Sequence, residues 1–153
     1  MLTAHHRFTR LCCTLLCVLT LAGCSLVKGP AAERRDKAFV QAIETYRKLI
    51  RWGYFEQAMQ YQKGRDEPLL APNLADYAGY KITGYDVGEQ VLGNDGDEAR
   101  VITQIEFFET DSRVAGLVRD EQLWWYDKEA GRWYIGSPLP VLQVGPMVRE
   151  ISR

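Results

Sequence analysis

The sequence predicts an α+β fold, in which an N-terminal helix pair packs on a curved, cone-like antiparallel meander of about four strands. Two observations predict it. Apolar residues recur every three or four positions over roughly residues 36–63, and at every second position from Tyr77 onward. Turn-forming residues separate the alternating runs, as expected of successive hairpins. Helices followed by a run of strands favour helices that cover one face of a single sheet.

Two helices are predicted ahead of the sheet. The apolar stripe of the first helix follows a helical spacing through Phe39, Ile43, Tyr46 and Ile50. Gly53 fits the end of this helix. The second helix is predicted over about Tyr54 to Lys63, and Gly64 ends it. Pro68 and Pro72 then mark a loop.

Four strands are predicted over residues 80–92, 98–109, 114–127 and 132–136, and the first is expected to break near Gly84 and Gly88. The turn at residues 94–97 then joins the first two. If Glu109 lies opposite Val114, Ile105 meets Val118 in the central hairpin. A slip of one residue would exchange the faces of every side chain, so this register is a specific prediction.

The first 23 residues differ in composition from the rest of the chain. Arg7 and Arg10 precede an uncharged apolar run from Leu11 to Gly23. This run is too short to cross a bilayer as a helix, which takes about 20 apolar residues. A basic start, a short apolar stretch and a small-residue exit are typical of a secretory signal.

The end of this run, Leu21-Ala22-Gly23-Cys24, resembles the bacterial lipobox. The resemblance implies that Cys24 is alkylated by diacylglycerol and becomes the first residue after cleavage. Several acyl chains, at about 0.8 kcal/mol per buried methylene, would then hold the protein on the bilayer. Ser25 stands where Asp commonly implies retention in the inner membrane. In a Gram-negative source the expected location is therefore the outer membrane, facing the periplasm.

The predicted organisation has four parts: a signal peptide at 1–23, a lipidated Cys24 with a short tether over 24–35, the α+β domain at 36–145, and a tail at 146–153. Basic residues lie in or just after the tether at Lys28, Arg34, Arg35 and Lys37. They form either the solvated start of a helix or a contact with anionic headgroups. The net charge of −1 argues against a broad nucleic-acid surface.

The cysteines and histidines restrict the chemistry of the mature chain. All of them lie in or at the end of the signal: His5, His6, Cys12, Cys13, Cys17 and Cys24. Cys–His and Ser–His–Asp catalysis and Cys- or His-based zinc sites are therefore excluded for the domain. Acid–base chemistry would depend on Asp, Glu, Lys or Tyr. No catalytic residue, metal ligand or cofactor is assigned, and an enzyme is the less favoured interpretation.

The order of elements resembles the nuclear transport factor two-like, or cystatin-like, superfamily over residues 36 to about 140. The resemblance depends on the helix pair, the meander and the final strand Gly131–Ile135, where such domains often place an aromatic residue. More narrowly, residues 49–58 and 131–140 look like small bacterial lipoproteins of this fold. The superfamily includes isomerases and cyclases as well as domains that only bind or dimerise. It therefore implies a pocket or a dimer through the sheet, without choosing between them.

Aromatic residues concentrate in the last predicted hairpin, at Trp124, Trp125, Tyr126, Trp133 and Tyr134. By alternation one set belongs to the core, and the other is a candidate partner-binding surface for a peptide or a lipid. Two polar features have simpler explanations. Residues 94–98 have the acid spacing of a calcium loop but are expected to form a hairpin turn. Arg119, Glu121, Gln104 and Glu106 are expected to form exposed cross-strand pairs.

Three functions are compatible with these features. The favoured one is a membrane-anchored binding or scaffolding domain, with a protein partner or a homodimer through the sheet. The alternative is a small-molecule isomerase or lyase, which would need an inward acid beside Tyr46, Tyr61 or Tyr80 in a deep pocket. The third is a structural protein of the lipid surface, with a basic face beside the tether.

Overall fold

The computed structural model describes residues 29–143, and tertiary contacts group the chain into two units, Met1–Glu33 and Arg34–Arg153. Of the first unit, the described residues are 29–33, which include the start of a helix. The predicted signal, Cys24 and the predicted tail at 146–153 lie outside the described residues. Within residues 29–143, no helix combines the length and the apolarity needed to cross a membrane.

Helix α1 spans Pro30–Arg51 and therefore begins within the segment predicted to be a tether. A proline suits the first helical position, because its missing N–H has no intrahelical partner there. The positive φ of Gly53, +74°, reverses the chain after the helix, as the sequence predicts. The predicted apolar stripe is confirmed, since the buried residues of α1 are Phe39, Ala42, Ile43, Tyr46 and Ile50.

The second predicted helix is shorter than expected. Helix α2 spans Phe55–Ala58 and continues as a single 3₁₀ turn over Met59–Tyr61. Gln62 is extended and forms a parallel bridge with Ile135, and the Lys63 N–H donates to the Ile135 carbonyl at 3.0 Å. Hydrogen bonding to the edge of the sheet therefore replaces the last helical turn that local periodicity favoured.

The sheet confirms the predicted α+β class. Its strands are β1 (Tyr80–Leu92), β2 (Glu98–Glu109), β3 (Ala115–Asp127) and β4 (Arg132–Ile135), paired antiparallel in the order β1-β2-β3-β4. The predicted register of the central hairpin is also confirmed, because Ile105 lies opposite Val118 and Gln104 opposite Arg119. Strand β1 has irregular pairing between Ile82 and Gly84 and between Val87 and Gln90. The breaks predicted near Gly84 and Gly88 are therefore present, and such bulges increase strand twist.

The core lies between helix α1 and one face of the sheet, which we call the inner face. The Phe39 ring packs on Trp133 at a centroid distance of 4.5 Å and on Trp124 at 6.0 Å. Tyr46 meets Trp124 edge to face at 5.8 Å, a favoured aromatic geometry. The Trp133 indole N–H also donates to the Arg35 carbonyl at 3.1 Å. These contacts hold α1 along β3 and β4.

On the inner face Phe107 lies directly opposite Gly116 and is fully buried. A Cβ atom at Gly116 would come within 2.3 Å of the Phe107 ring. We expect Gly116→Ala to lower the free energy of unfolding by about 1–3 kcal/mol, because the ring must move within a packed core. The urea midpoint of unfolding measures this effect.

Gly79→Ala is the matched control, since a Cβ atom there meets nothing within 4 Å. Its effect should stay within about 0.5 kcal/mol. Equal midpoints for the two variants would contradict the packing of Phe107 over Gly116.

Candidate functional site

The aromatic residues of the last hairpin divide between the core and the surface. Trp124 and Trp133 are core residues, with 2% and 1% of their surface exposed. Tyr126 is half-buried and packs beside Trp133 at 5.6 Å. Trp125 and Tyr134 point to the opposite, outer face of the sheet and are also half-buried. Of the five predicted residues, only these last two combine exposure with the outer face.

Trp125 and Tyr134 belong to a cation–aromatic cluster, which we define as Tyr61, Lys63, Trp125, Arg132 and Tyr134. The rings of Trp125 and Tyr134 lie 5.6 Å apart and are tilted by 33°. The Lys63 ammonium lies 5.4 Å from the Trp125 centroid and 5.0 Å from that of Tyr134. The Arg132 guanidinium lies over Tyr134 at 4.8 Å and over Tyr61 at 5.4 Å. Each pairing is an attractive cation–π contact, which fixes the ring positions.

The loop at residues 64–69 is held against the sheet beside this cluster. The Trp125 indole N–H donates to the Lys63 carbonyl at 2.9 Å, and Lys63 Nζ lies 2.7 Å from the Asp127 carboxylate. The hydrogen bond with Asp127 raises the pKa of Lys63, so this cation is charged at neutral pH. Arg65 pairs with Glu98 across the gap between the loop and β2.

The loop and the outer face of the sheet, together with the inner-face residues Leu92, Ala99 and Trp124, line a groove of about 820 Å³. Its lining includes Val91, Leu92 and Leu123 from the strands, Trp125 from the cluster, and residues 64–69 as one wall. Pockets for small ligands typically measure about 300–1,000 Å³. We call this site the outer-face groove. The sequence marks Trp125, but the loop that forms the wall carries no sequence signal beyond Pro68.

A second cavity of about 490 Å³ lies at the other end of helix α2. It is lined by residues 53–57 together with Leu74, Tyr77, Ala78 and Tyr80. The Tyr80 hydroxyl donates to the Glu109 carboxylate at 3.4 Å. Burial raises the pKa of Tyr77 and that of Tyr80. Both phenols therefore stay protonated at neutral pH and act as hydrogen-bond donors.

A buried polar cluster, which the sequence did not predict, lies on the inner face around the fully buried Gln122. Its amide nitrogen donates to the Tyr85 hydroxyl and to the Asp120 carboxylate, both at 2.7 Å. Its amide oxygen accepts from the Trp124 indole at 3.1 Å. Burial raises the pKa of Tyr85 to about 12 and also raises that of Asp120. Gln122, Tyr85 and Asp120 line neither of the two cavities, whereas Trp124 also lines the outer-face groove.

The sequence also singles out two polar features, the acidic segment at 94–98 and a group of polar residues on β2 and β3. Residues 94–97 form the β1–β2 turn, as predicted, with φ of +63° at Gly96. No group of three or more His, Cys, Asp or Glu side chains within residues 29–143 could hold a metal ion. Glu121 pairs with Arg100 rather than with Gln104 or Glu106, and both partners are exposed.

The pH dependence of stability tests the burial of Asp120. Asp120 stays protonated to a higher pH in the native state than in the unfolded chain, where a carboxyl has a pKa of about 3.9. Folding takes up a proton between the two pKa values, so the free energy of unfolding falls as the pH rises through this window. Asp120→Asn keeps an acceptor oxygen for Gln122 and should remove this fall. Urea midpoints from pH 4 to 7 measure it.

Asp111→Asn, in the exposed β2–β3 turn, is the matched control for loss of one charge. It should leave the pH profile of the wild type unchanged. The assignment to Asp120 is wrong if the profile of Asp120→Asn falls as steeply as that of the wild type.

In comparisons with known proteins, no family model, curated protein or solved structure matches the chain. The resemblance to nuclear transport factor two-like domains and the lipobox therefore stay predictions. The order of the elements supports the resemblance to these domains, and the residues Leu21–Cys24 support the lipobox.

Proposed function

We propose that the chain is an envelope lipoprotein, anchored through acylated Cys24, whose folded domain serves as a binding or scaffolding domain. The sequence from Leu21 to Cys24, after a short apolar run, supports the anchor. Ser25 supports the outer membrane, facing the periplasm, as its location in a Gram-negative source. The resemblance to nuclear transport factor two-like domains agrees with helices followed by a four-stranded meander.

The observation that carries the binding function is the outer-face groove beside the cation–aromatic cluster. Hydrogen bonds and ion pairs hold the groove wall against the sheet, so the groove is preformed. Large aromatic side chains instead fill the space under helix α1. A preformed groove on one face and a packed core on the other favour recognition of a partner at the outer face.

A second function, a small-molecule isomerase or lyase, is favoured by one observation. Asp120 faces inward beside Tyr85, and its carboxyl has a raised pKa, as an acid catalyst needs. Burial raises the pKa of Tyr46, and the nearby charge of Asp120 contributes to this shift. Because Asp120 and Tyr85 line neither of the two cavities described above, this function ranks second.

The native mass of the full-length protein, extracted gently from membranes, discriminates between the two functions. We expect a molecule that stays bound to the wild type and to Asp120→Asn, and that is lost from Trp125→Ala. Removing a large aromatic anchor typically costs about 2 kcal/mol of binding free energy, a roughly 30-fold loss of affinity. Loss from Asp120→Asn alone would favour the enzyme, and a native wild-type mass equal to that of the same lipidated protein after denaturation would contradict the binding function.

The anchor is tested by Cys24→Ala. We expect this variant to lose labelling by radioactive palmitate and to remain as the unprocessed precursor, because only a thiol forms the thioether. Labelling and gel mobility of the membrane fraction measure both effects. Cys17→Ala, within the same signal, is the matched control and should be labelled and processed normally. Normal labelling of Cys24→Ala would exclude Cys24 as the attachment site.

A further inference from the structure

We infer that the outer-face groove binds a basic segment of a partner protein, whose lysine or arginine side chains enter the groove. This inference deepens the binding function proposed above and depends on it. It names the chemistry of the partner from the charge of the groove lining, from the alternation of apolar and charged groups on the floor, and from the paired backbone of the strands beneath.

The lining of the groove carries more acidic than basic side chains. Its ionisable residues are Arg65, Asp66, Glu67, Glu98 and Arg100. Arg65 forms an ion pair with Glu98, and Arg100 forms one with Glu121, which lies outside the lining. Both basic groups are therefore neutralised within the domain. Asp66 and Glu67 are exposed, and neither forms an ion pair with another residue of the described range 29–143.

Acidic neighbours act on Arg65 in addition to its ion-pair partner. The hydrogen bond with Glu98 raises the pKa of Arg65, and the nearby charges of Asp66 and Asp97 raise it further. A cation that enters beside this wall therefore meets carboxylates that no other cation neutralises, those of Asp66 and Glu67. Such a surface attracts a basic partner and repels an acidic one.

The floor of the groove alternates apolar and charged side chains. Val91 lies opposite Arg100, and Arg100 lies opposite Leu123 on the next strand. Val91 and Leu123 have 49% and 53% of their surface exposed, and Trp125 also lines the groove. A purely apolar ligand would cover Arg100 and the wall carboxylates without giving them partners. Lysine and arginine instead carry a charged end on an apolar stem, so the stem packs on Leu123 while the charged end reaches the wall.

The backbone under the groove is already hydrogen-bonded, which favours entry of side chains over addition of a strand. Strand β2 pairs with β1 on one side and with β3 on the other. The Gly93 N–H donates to the Glu98 carbonyl at 2.9 Å, and the Gly136 N–H donates to the Leu123 carbonyl at 2.7 Å. A partner backbone laid flat on this floor would bury its own N–H and C=O groups without partners. Side chains that enter from above leave that backbone at the rim, in water.

Binding of labelled peptides of different charge tests the inference. The purified full-length protein, in a neutral detergent, is titrated into fluorescein-labelled decapeptides that alternate serine with lysine, with glutamine or with glutamate. Fluorescence anisotropy measures the affinity. We expect the lysine peptide to bind roughly ten-fold or more tightly than the other two, because only its charge complements the wall. A lysine peptide that binds no better than the glutamine peptide would overturn the inference.

The wall charges are tested by a double variant, Asp66→Asn with Glu67→Gln, which removes both carboxylates at nearly constant volume. We expect it to bind the lysine peptide roughly ten-fold more weakly, since each exposed ion pair contributes up to about five-fold. The matched control is Glu56→Gln with Asp111→Asn, because both residues are exposed, neither lines the groove, and the net charge changes equally. It should bind as the wild type does. Equal affinities of the two double variants would overturn the inference.

The floor is tested by Leu123→Ala. We expect this variant to bind the lysine peptide about five-fold more weakly, because the lysine stem loses its apolar contact. Leu117→Ala is the matched control, since Leu117 lies on the same face of β3, is 62% exposed and does not line the groove. Binding that Leu123→Ala leaves unchanged would be general charge attraction and would overturn the inference. Near-ultraviolet circular dichroism verifies that both variants keep the native packing of their tryptophans.

A Trp125→Ala arm separates this inference from the binding function on which it depends. Binding of the lysine peptide that is lost from Trp125→Ala and from the wall variant supports both. Equally tight, Trp125-dependent binding of the glutamine or glutamate peptide overturns the inference and leaves the binding function intact. The same holds if no peptide binds but a molecule bound to the native protein is lost from Trp125→Ala. A fall from dimer to monomer in Leu123→Ala, without peptide binding by the wild type, would make a second copy the occupant and also overturn the inference.

Discussion

The packing of helix α1 on the indole of Trp124 is the contact on which the other features of the fold depend. Trp124 contacts Phe39 and Tyr46 of the helix on one side, and its N–H is bound by Gln122 in the sheet. Because Trp124 contacts both the helix and the sheet, it determines which residues of β3 lie under the helix. Because alternation then sends Trp125 to the other face, the same packing determines which aromatic ring reaches the groove.

The two faces of the sheet have different roles for a physical reason. The inner face is closed by aromatic packing, and the buried amide of Gln122 is hydrogen-bonded to Tyr85, Asp120 and Trp124. Such a network stabilises a single core arrangement. Several apolar residues of the outer face, Val91, Leu117 and Leu123 among them, remain exposed within the described residues, whereas Ile102 on the same face is buried. The proposed recognition at the outer face would therefore leave the core undisturbed.

Much of the fold was predictable because the strands alternate clearly and their turns are short. The register of β2 on β3 followed from one pair, Glu109 with Val114, since a short turn leaves few ways to close a hairpin. The end of the second helix was not predictable. Residues 59–63 have helical periodicity, but hydrogen bonds to Ile135, distant in sequence, are what end the helix. The groove was missed for the same reason, since its wall and floor come from separate parts of the chain.

By itself, the sequence determined the fold class, the strand boundaries, the candidate lipid attachment at Cys24 and the absence of cysteine and histidine from residues 25–153. These properties depend on local periodicity, on a short motif or on composition, which need no long-range contact. Only the tertiary structure decided which rings are buried, that Lys63 and Arg132 stack on the exposed ones, and that the loop at 64–69 encloses a groove. Each of these joins residues from distant segments, and their proximity arises only when the helix and the sheet pack together.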